Sequence, residues 1–336
     1  MLTSDQIKKI DTQDMYKTYE NWPEIAEQNY YKKFDKLDVK DIDHIVFAGM
    51  GGSGTIGDIF SSILSKTNLH VSVVKGYSLP KTVNERTLIM CTSISGNTEE
   101  TLSILENAKK SNARFVSMSS GGKMEDFCEK NNLKFYKIKK DHSPRASLLG
   151  FLYAALNIFE EIIQINKNDV NESIKSLYEL KKGILVDSLY KKNMAIELAE
   201  WIKEIPMLYY PWGLESVAIR FKNSMQENAK KHVMYEDVIE TCHNGIVSWE
   251  KSSNVQPILI RGSNDHKKTI ERWDIIKEFF QEKNINYKEI FSVDGNILSK
   301  IVCLIYILDM TSIYNAVIGK IDPSPVNSID FIKDKL

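Results

Sequence analysis

The 336-residue sequence is poor in cysteine, nearly balanced in charge and without a long uninterrupted apolar run. Each shortage closes off a class of protein. The four cysteines, Cys91, Cys128, Cys242 and Cys303, lie far apart. They form no C-x-x-C pair and no zinc spacing, which leaves a reduced, cytoplasmic compartment as the expectation. Cys242 adjoins a candidate site residue but is read as an ordinary free thiol. A formal net charge of -1 argues against a protein that coats nucleic acid. The longest apolar candidate, Ile301 to Leu308, stops at Asp309, far short of the ~18 residues that mark a membrane span. The opening MLTSDQIKKIDTQDMY has no apolar core, so no signal peptide is expected.

The residues that are present describe a globular chain, with 43% hydrophobic and 26% charged residues. Its length suits two domains, each able to bury its own core. Short apolar runs read as strands at His44–Met50, His70–Gly76, Thr87–Ser93, Ala113–Ser120 and Leu133–Ile138, with helical stretches between. Runs without strict alternation suit strands covered on both faces. A long apolar helix is expected over Arg145–Ile165, with Ser143 as its cap and Pro144 at its first position. The second half repeats the theme, with strands at Ile205–Pro211, Val255–Gly262 and Asn286–Ser292 and a helix running through Lys230. The expectation is an α/β fold of two domains, each a mainly parallel, doubly wound sheet flanked by helices. The first covers residues 1–165 with a helical N-terminal extension, and the second covers 175–336.

Two loops carry chemistry. GMGGSG, Gly49 to Gly54, follows the first strand and fits G-x-G-x-x-G. A dinucleotide site also wants an acid at the end of the second strand, where Lys75 stands instead. NAD is therefore disfavoured, NADP survives only through Lys75, and no Gly-Lys-Ser/Thr completes a P-loop. What remains is close backbone approach to a ligand, or simply a tight strand–helix turn. SISGNTEETL, Ser93 to Leu102, follows the third strand and opens a helix. Asn97 with Glu100 reads as a capping box, but Ser93, Ser95 and Thr98 add hydroxyls beyond what a cap needs. Hydroxyls and free N–H groups at a helix N-terminus, without Lys or Arg, suit a phosphomonoester.

HIVFAGMGGSG, SISGNTEETL and SMSSGGKM together resemble a SIS (sugar isomerase) domain. SPRASLLGFL (from Ser143), RFKNSMQENAKKH (from Arg220), CHNGIVSWE (from Cys242) and DPSPVNSIDFIK (from Asp322) are similar to the bifunctional phosphoglucose/phosphomannose isomerase family. The resemblance runs in order from about residue 44 to the C-terminus. It implies two SIS-type domains and a cofactor-free, metal-free aldose–ketose isomerase acting on hexose 6-phosphates. It implies that Gly52, Ser53, Ser93, Ser95 and Thr98 hold the phosphate. It further implies Glu227 as the base, His243 as the ring opener, Arg145 as the stabiliser of the enediolate and Lys333 as a lysine pointing into the site. In the family the histidine comes from the other subunit, which implies a homodimer with shared sites, and no nucleic-acid or membrane partner. By spacing alone, Arg220, Asn223 and Glu227 fall on one helix face, where Glu227 also fits a solvated residue paired to Lys230 or Lys231. Two positions depart from the family pattern: Ile94 stands where Tyr is usual and Gly245 where Glu is frequent. Both bear on the shape of the pocket and the choice of substrate. An enzyme on an amino sugar phosphate, or a non-catalytic sugar-phosphate sensor, are the rival expectations.

Overall fold

The computed structural model describes residues 2–163, 165–188 and 192–335. The chain begins with α1 (Ser4–Ile10), α2 (Met15–Glu20) and α3 (Trp22–Tyr31). It continues through β1 (His44–Ala48), α4 (Gly51–Leu64), β2 (His70–Val74), β3 (Thr87–Ser93) and α5 (Glu99–Lys109). Next come β4 (Arg114–Ser119), α6 (Lys123–Lys130), β5 (Phe135–Lys137), α7 (Leu148–Ile158), α8 (Lys167–Ile184) and α9 (Met194–Trp201). β6 (Ile205–Tyr210) leads into α10 (Glu215–Ser224), a π-helical turn (Met225–Ala229), β7 (Met234–Asp237), α11 (Val238–Thr241) and a 3₁₀ helix (Gly245–Glu250). β8 (Val255–Arg261), α12 (Lys267–Glu282), β9 (Lys288–Phe291), α13 (Ile297–Ile318) and α14 (Asn327–Lys333) complete it.

The chain divides into two compact units, each built on one sheet. The first-sheet unit comprises residues 21–175 with 296–299, and the second-sheet unit residues 1–20, 176–295 and 300–336. The first sheet has the order β2-β1-β3-β4-β5 with every pair parallel. β1 and β3 are buried along their whole length, as apolar runs without alternation require. Val46, Ala48, Ile89, Cys91, Ile104, Leu105 and Met124 form the core on one face. After β1 the chain winds one way to β2 and then returns to the other side for β3. The loops following β1 and β3 therefore diverge at the carboxyl edge, where α/β sheets bind ligands. The second sheet, β7-β6-β8-β9, is also parallel throughout, with Tyr209, Val238, Trp249, Leu259, Trp273 and Phe280 in its core. The expected doubly wound sheets are thus present.

Four local expectations change. The helix expected over Arg145–Ile165 spans only Leu148–Ile158. Ser147 N and Oγ both bond to Ser143 O, at 3.1 and 2.9 Å, so Ser143–Ser147 closes as a turn and Arg145 precedes the helix. Asn97 and Glu100 make no capping box, because Thr98 is the N-cap of α5 and Asn97 Oδ1 accepts from Lys123 N instead (3.0 Å). The helix expected through Lys230 widens into a π turn at Met225 and ends where Lys230 adopts a left-handed conformation. α13, despite Asp309, is long and apolar enough to cross a bilayer, and 94% of its apolar window is buried within the protein. A core helix satisfies both facts, since a helix hydrophobic all round belongs inside.

Candidate active site

In the first-sheet unit, the two glycine-containing loops meet at the diverging edge between β1 and β3. Ser53 lies in the first turn of α4, and its Oγ accepts from Ile94 N at 3.1 Å, which ties one loop to the other. Ile94 O in turn accepts from Ser120 N and Oγ, so the backbone of the second loop is held on both sides. The Ile94 side chain is buried, not part of an exposed wall. Ser93 Oγ lies 2.9 Å from Thr98 Oγ1 and accepts from Gly96 N, while Ser95 Oγ accepts from Asn97 N. Gly96 has a φ of +74°, and a Cβ there would run into Gly121 O, so the turn demands glycine.

Neither α4 nor α5 has a side chain capping its N-terminus. Two helix starts thus present their first N–H groups at one sheet edge, surrounded by the hydroxyls of Ser53, Ser93, Ser95 and Thr98. That arrangement favours an anion by partial positive charge and by hydrogen bonding. Gly52 abuts the backbone of Pro144 and Arg145, where an added Cβ would meet Pro144 O at 3.1 Å. The structure therefore brings Arg145, which is buried, beside the same loop. Lys75, the residue that kept NADP open, is engaged by Asp58 at 2.7 Å.

In the second-sheet unit, Glu227 sits half-buried on the π turn. A π turn inserts one residue into the helix and re-aims its neighbours, and such turns recur at functional sites. This one is strapped to α13. Asn228 Nδ2 donates to Ser312 Oγ (2.8 Å), and Ser224 Oγ donates to Asp309 Oδ1 (2.6 Å). Arg220, fully buried, donates to Asp309 through Nε (3.0 Å) and Nη2 (2.5 Å) and to Tyr19. Burial opposes the guanidinium charge, but Asp309, Tyr19 and Glu227 outweigh it and hold its pKa above the ordinary value. Asp309, Ser224 and Tyr19 were not anticipated as supports. A lone carboxylate inside an apolar helix was the available signal, because such a charge needs a partner.

His243 follows α11, exposed, with its N–H bonded to Glu240 O at 2.8 Å. Lys333 is the last residue of the exposed helix α14. The candidate residues thus fall in two sets: Gly52, Ser53, Ser93, Ser95, Thr98 and Arg145 in one unit, and Glu227, His243 and Lys333 in the other. Among the described residues, no group of three or more His, Cys, Asp or Glu is placed to hold a metal ion.

Comparison with known proteins agrees with this division. Residues 39–160 match the SIS domain family, and residues 191–336 match the bacterial phospho-glucose isomerase C-terminal SIS domain. The bifunctional phosphoglucose/phosphomannose isomerase of Caldicellulosiruptor bescii is 32% identical, over 96% of this chain and 98% of its own. The enzyme of the same name from Aquifex aeolicus is 30% identical, over 92% and 96%. In fold, the C-terminal domain of glucosamine-fructose-6-phosphate aminotransferase from Francisella tularensis superposes with a TM-score of 0.69 at 15% identity, covering 93% of this chain and 98% of that one.

Proposed function

The chain belongs to the bifunctional phosphoglucose/phosphomannose isomerase family, and we infer from this that it interconverts glucose 6-phosphate and mannose 6-phosphate with fructose 6-phosphate. The observation that carries the reading is the cradle between β1 and β3: two uncapped helix N-termini and four hydroxyls, with no lysine or arginine in either loop. It is chemically suited to a phosphomonoester held by neutral donors.

In the proposed reaction, Gly52, Ser53, Ser93, Ser95 and Thr98 anchor the phosphate. His243 exchanges a proton with the ring oxygen as the hemiacetal opens, a task matched to an imidazole near neutral pH. Glu227 removes the proton from carbon 2 of the aldose and returns it to carbon 1. The electron pair moves into the enediolate between the two carbons, and the Arg145 cation stabilises the oxyanion. Lys333 completes the polar lining. No external oxidant or reductant is needed, because one carbon is oxidised as its neighbour is reduced. The π turn supports the role of Glu227, since it holds a half-buried carboxylate on a strapped backbone.

We further propose a homodimer in which His243 serves the partner's site, in line with its exposure beyond α11. Four free thiols support a reducing, cytoplasmic setting. Coupled assays on each hexose phosphate test the reading. Turnover of both aldoses is expected, and inactivity on both would end it. Glu227→Gln is expected to lower kcat by on the order of 100-fold or more, as loss of a general base does. Near-parental activity in that variant would remove Glu227 from the mechanism.

A further inference from the structure

Beside His243 lie two pairs of polar contacts that the proposed mechanism does not use. Trp249 Nε1 donates to Tyr209 OH at 2.8 Å, both side chains being buried in the second-sheet core. Thr241 Oγ1, fully buried, donates to Glu236 Oε2. An indole nitrogen only donates and a carboxylate only accepts, so Trp249 donates to Tyr209 in one pair and Thr241 donates to Glu236 in the other. Four separate elements contribute one member each: the 3₁₀ helix, β6, α11 and β7.

Glu236 Oε2 does a second thing. A Cβ placed on Gly245 would lie far closer than 3.0 Å to that oxygen, nearer than real Cβ atoms approach. The carboxylate therefore occupies the space a side chain at 245 would need. Thr241 and Gly245 are the two flanks of the Cys242–His243–Asn244 segment. Glu236 bonds one flank and packs against the other, pinning both ends of the backbone that carries the imidazole. Inside the segment, Asn244 Oδ1 accepts from Gly245 N (2.5 Å) and Asn244 Nδ2 donates to Glu240 (2.6 Å), which fixes the turn further.

We propose that Glu236 is a positioning residue for His243, and that glycine at 245 is the vacancy its carboxylate requires. The proposal rests on the reading of His243 as ring opener. It gives the departure at Gly245 a physical meaning: the room a side chain there would take is filled by an acid from β7. The carboxylate does not touch substrate; it acts by setting where the imidazole stands. Displacement of a catalytic group by about 1 Å can cost on the order of 100-fold, so the effect of losing the pin is measurable.

The test uses the full-length enzyme and follows ring opening directly, as enzyme-catalysed exchange between the α and β anomers of glucose 6-phosphate by NMR, alongside kcat and KM. Glu236→Ala is expected to slow anomer exchange and kcat together by about 10- to 100-fold, with KM within about twofold. Gly245→Ala, which drives a methyl into the carboxylate, is expected to do the same. In the double variant the carboxylate is gone and the methyl meets only the Thr241 hydroxyl, which has lost its acceptor and can rotate away, so the two losses do not add. Glu236→Gln retains an oxygen that accepts from Thr241 and is expected to recover most of the rate. Circular dichroism and melting temperature establish that each variant is folded, and rates are expressed per folded enzyme. Anomer exchange within twofold of the parent in folded Glu236→Ala and in Gly245→Ala overturns the proposal. So does full additivity in the double variant. His243→Gln separates the two levels: if it keeps anomer exchange, the ring-opening reading falls and the proposal with it. If it loses exchange while Glu236→Ala does not, only the proposal falls.

Discussion

Single residues set both the chemistry and one pH liability. His44 is buried at the amino end of β1, with Nε2 2.9 Å from Ser72 Oγ and Nδ1 3.3 Å from Thr87 Oγ1. The His70 ring lies 4.7 Å away, centroid to centroid. Burial, and then His70, push the His44 pKa below its ordinary value, with Asp43 opposing. A histidine of lowered folded pKa binds its proton less readily folded than unfolded. Stability is therefore unaffected above the unfolded value of about 6.5 and falls as pH drops below it, towards the folded pKa. The melting temperature of the parent should decline as pH falls below about 6.5, and His44→Gln should show a shallower decline. Equal slopes would remove His44 from the account. At this scale the sequence was legible where residue type alone carries meaning, as with the hydroxyls of Ser93, Ser95 and Thr98. Glu236 was not legible, because its significance lies in the missing side chain of Gly245, nine positions away along the chain and beyond α11.

Elements explain why Glu227 is held where it is. The π turn is fastened to α13 by Arg220, Ser224 and Asn228, which converge on Asp309 and Ser312. Removing one member of a buried ion pair leaves the other charge without its counter-ion, at a cost of about 3–5 kcal/mol. Asp309→Ala should lower stability by that amount in denaturant melts, and should also reduce kcat because the turn bearing Glu227 loses its strap. A loss confined to stability would separate the strap from catalysis. Sequence periodicity found the strands of the first sheet, since β1 and β3 are apolar along both faces. It missed β7, whose residues Met234–Asp237 are exposed or half-buried at the sheet edge and carry two acids. It also carried the helix through Glu227 without a break, because a π turn leaves no composition signal and depends on long-range straps. Arg220 and Asp309 lie 89 positions apart, and only the fold pairs them.

For the whole molecule, the shared-site reading makes a quantitative prediction. Glu227→Gln and His243→Ala chains, each inactive alone, are unfolded together, refolded and assayed. If each site takes Glu227 from one subunit and His243 from its partner, half of the dimers are mixed and each has one intact site. About a quarter of parental activity should return. No recovery in refolded dimers would place both groups in one subunit. Domain-scale repetition was visible in the sequence as two series of strands, but the membership of the first twenty residues was not. α1 and α2 belong with the second sheet, through contacts such as Ser4 to Asp187 and Thr12 to Asp322. Tyr19 is buried against an arginine 201 positions later. At about 5–20 residues per second, it waits roughly 15–60 s for Asp309 to be made. The second unit is therefore a discontinuous fold whose residues 1–20 wait for partners made much later. Neither half can be cut out by a single break in the gene, and the loss of residues 1–20 is felt hundreds of positions away.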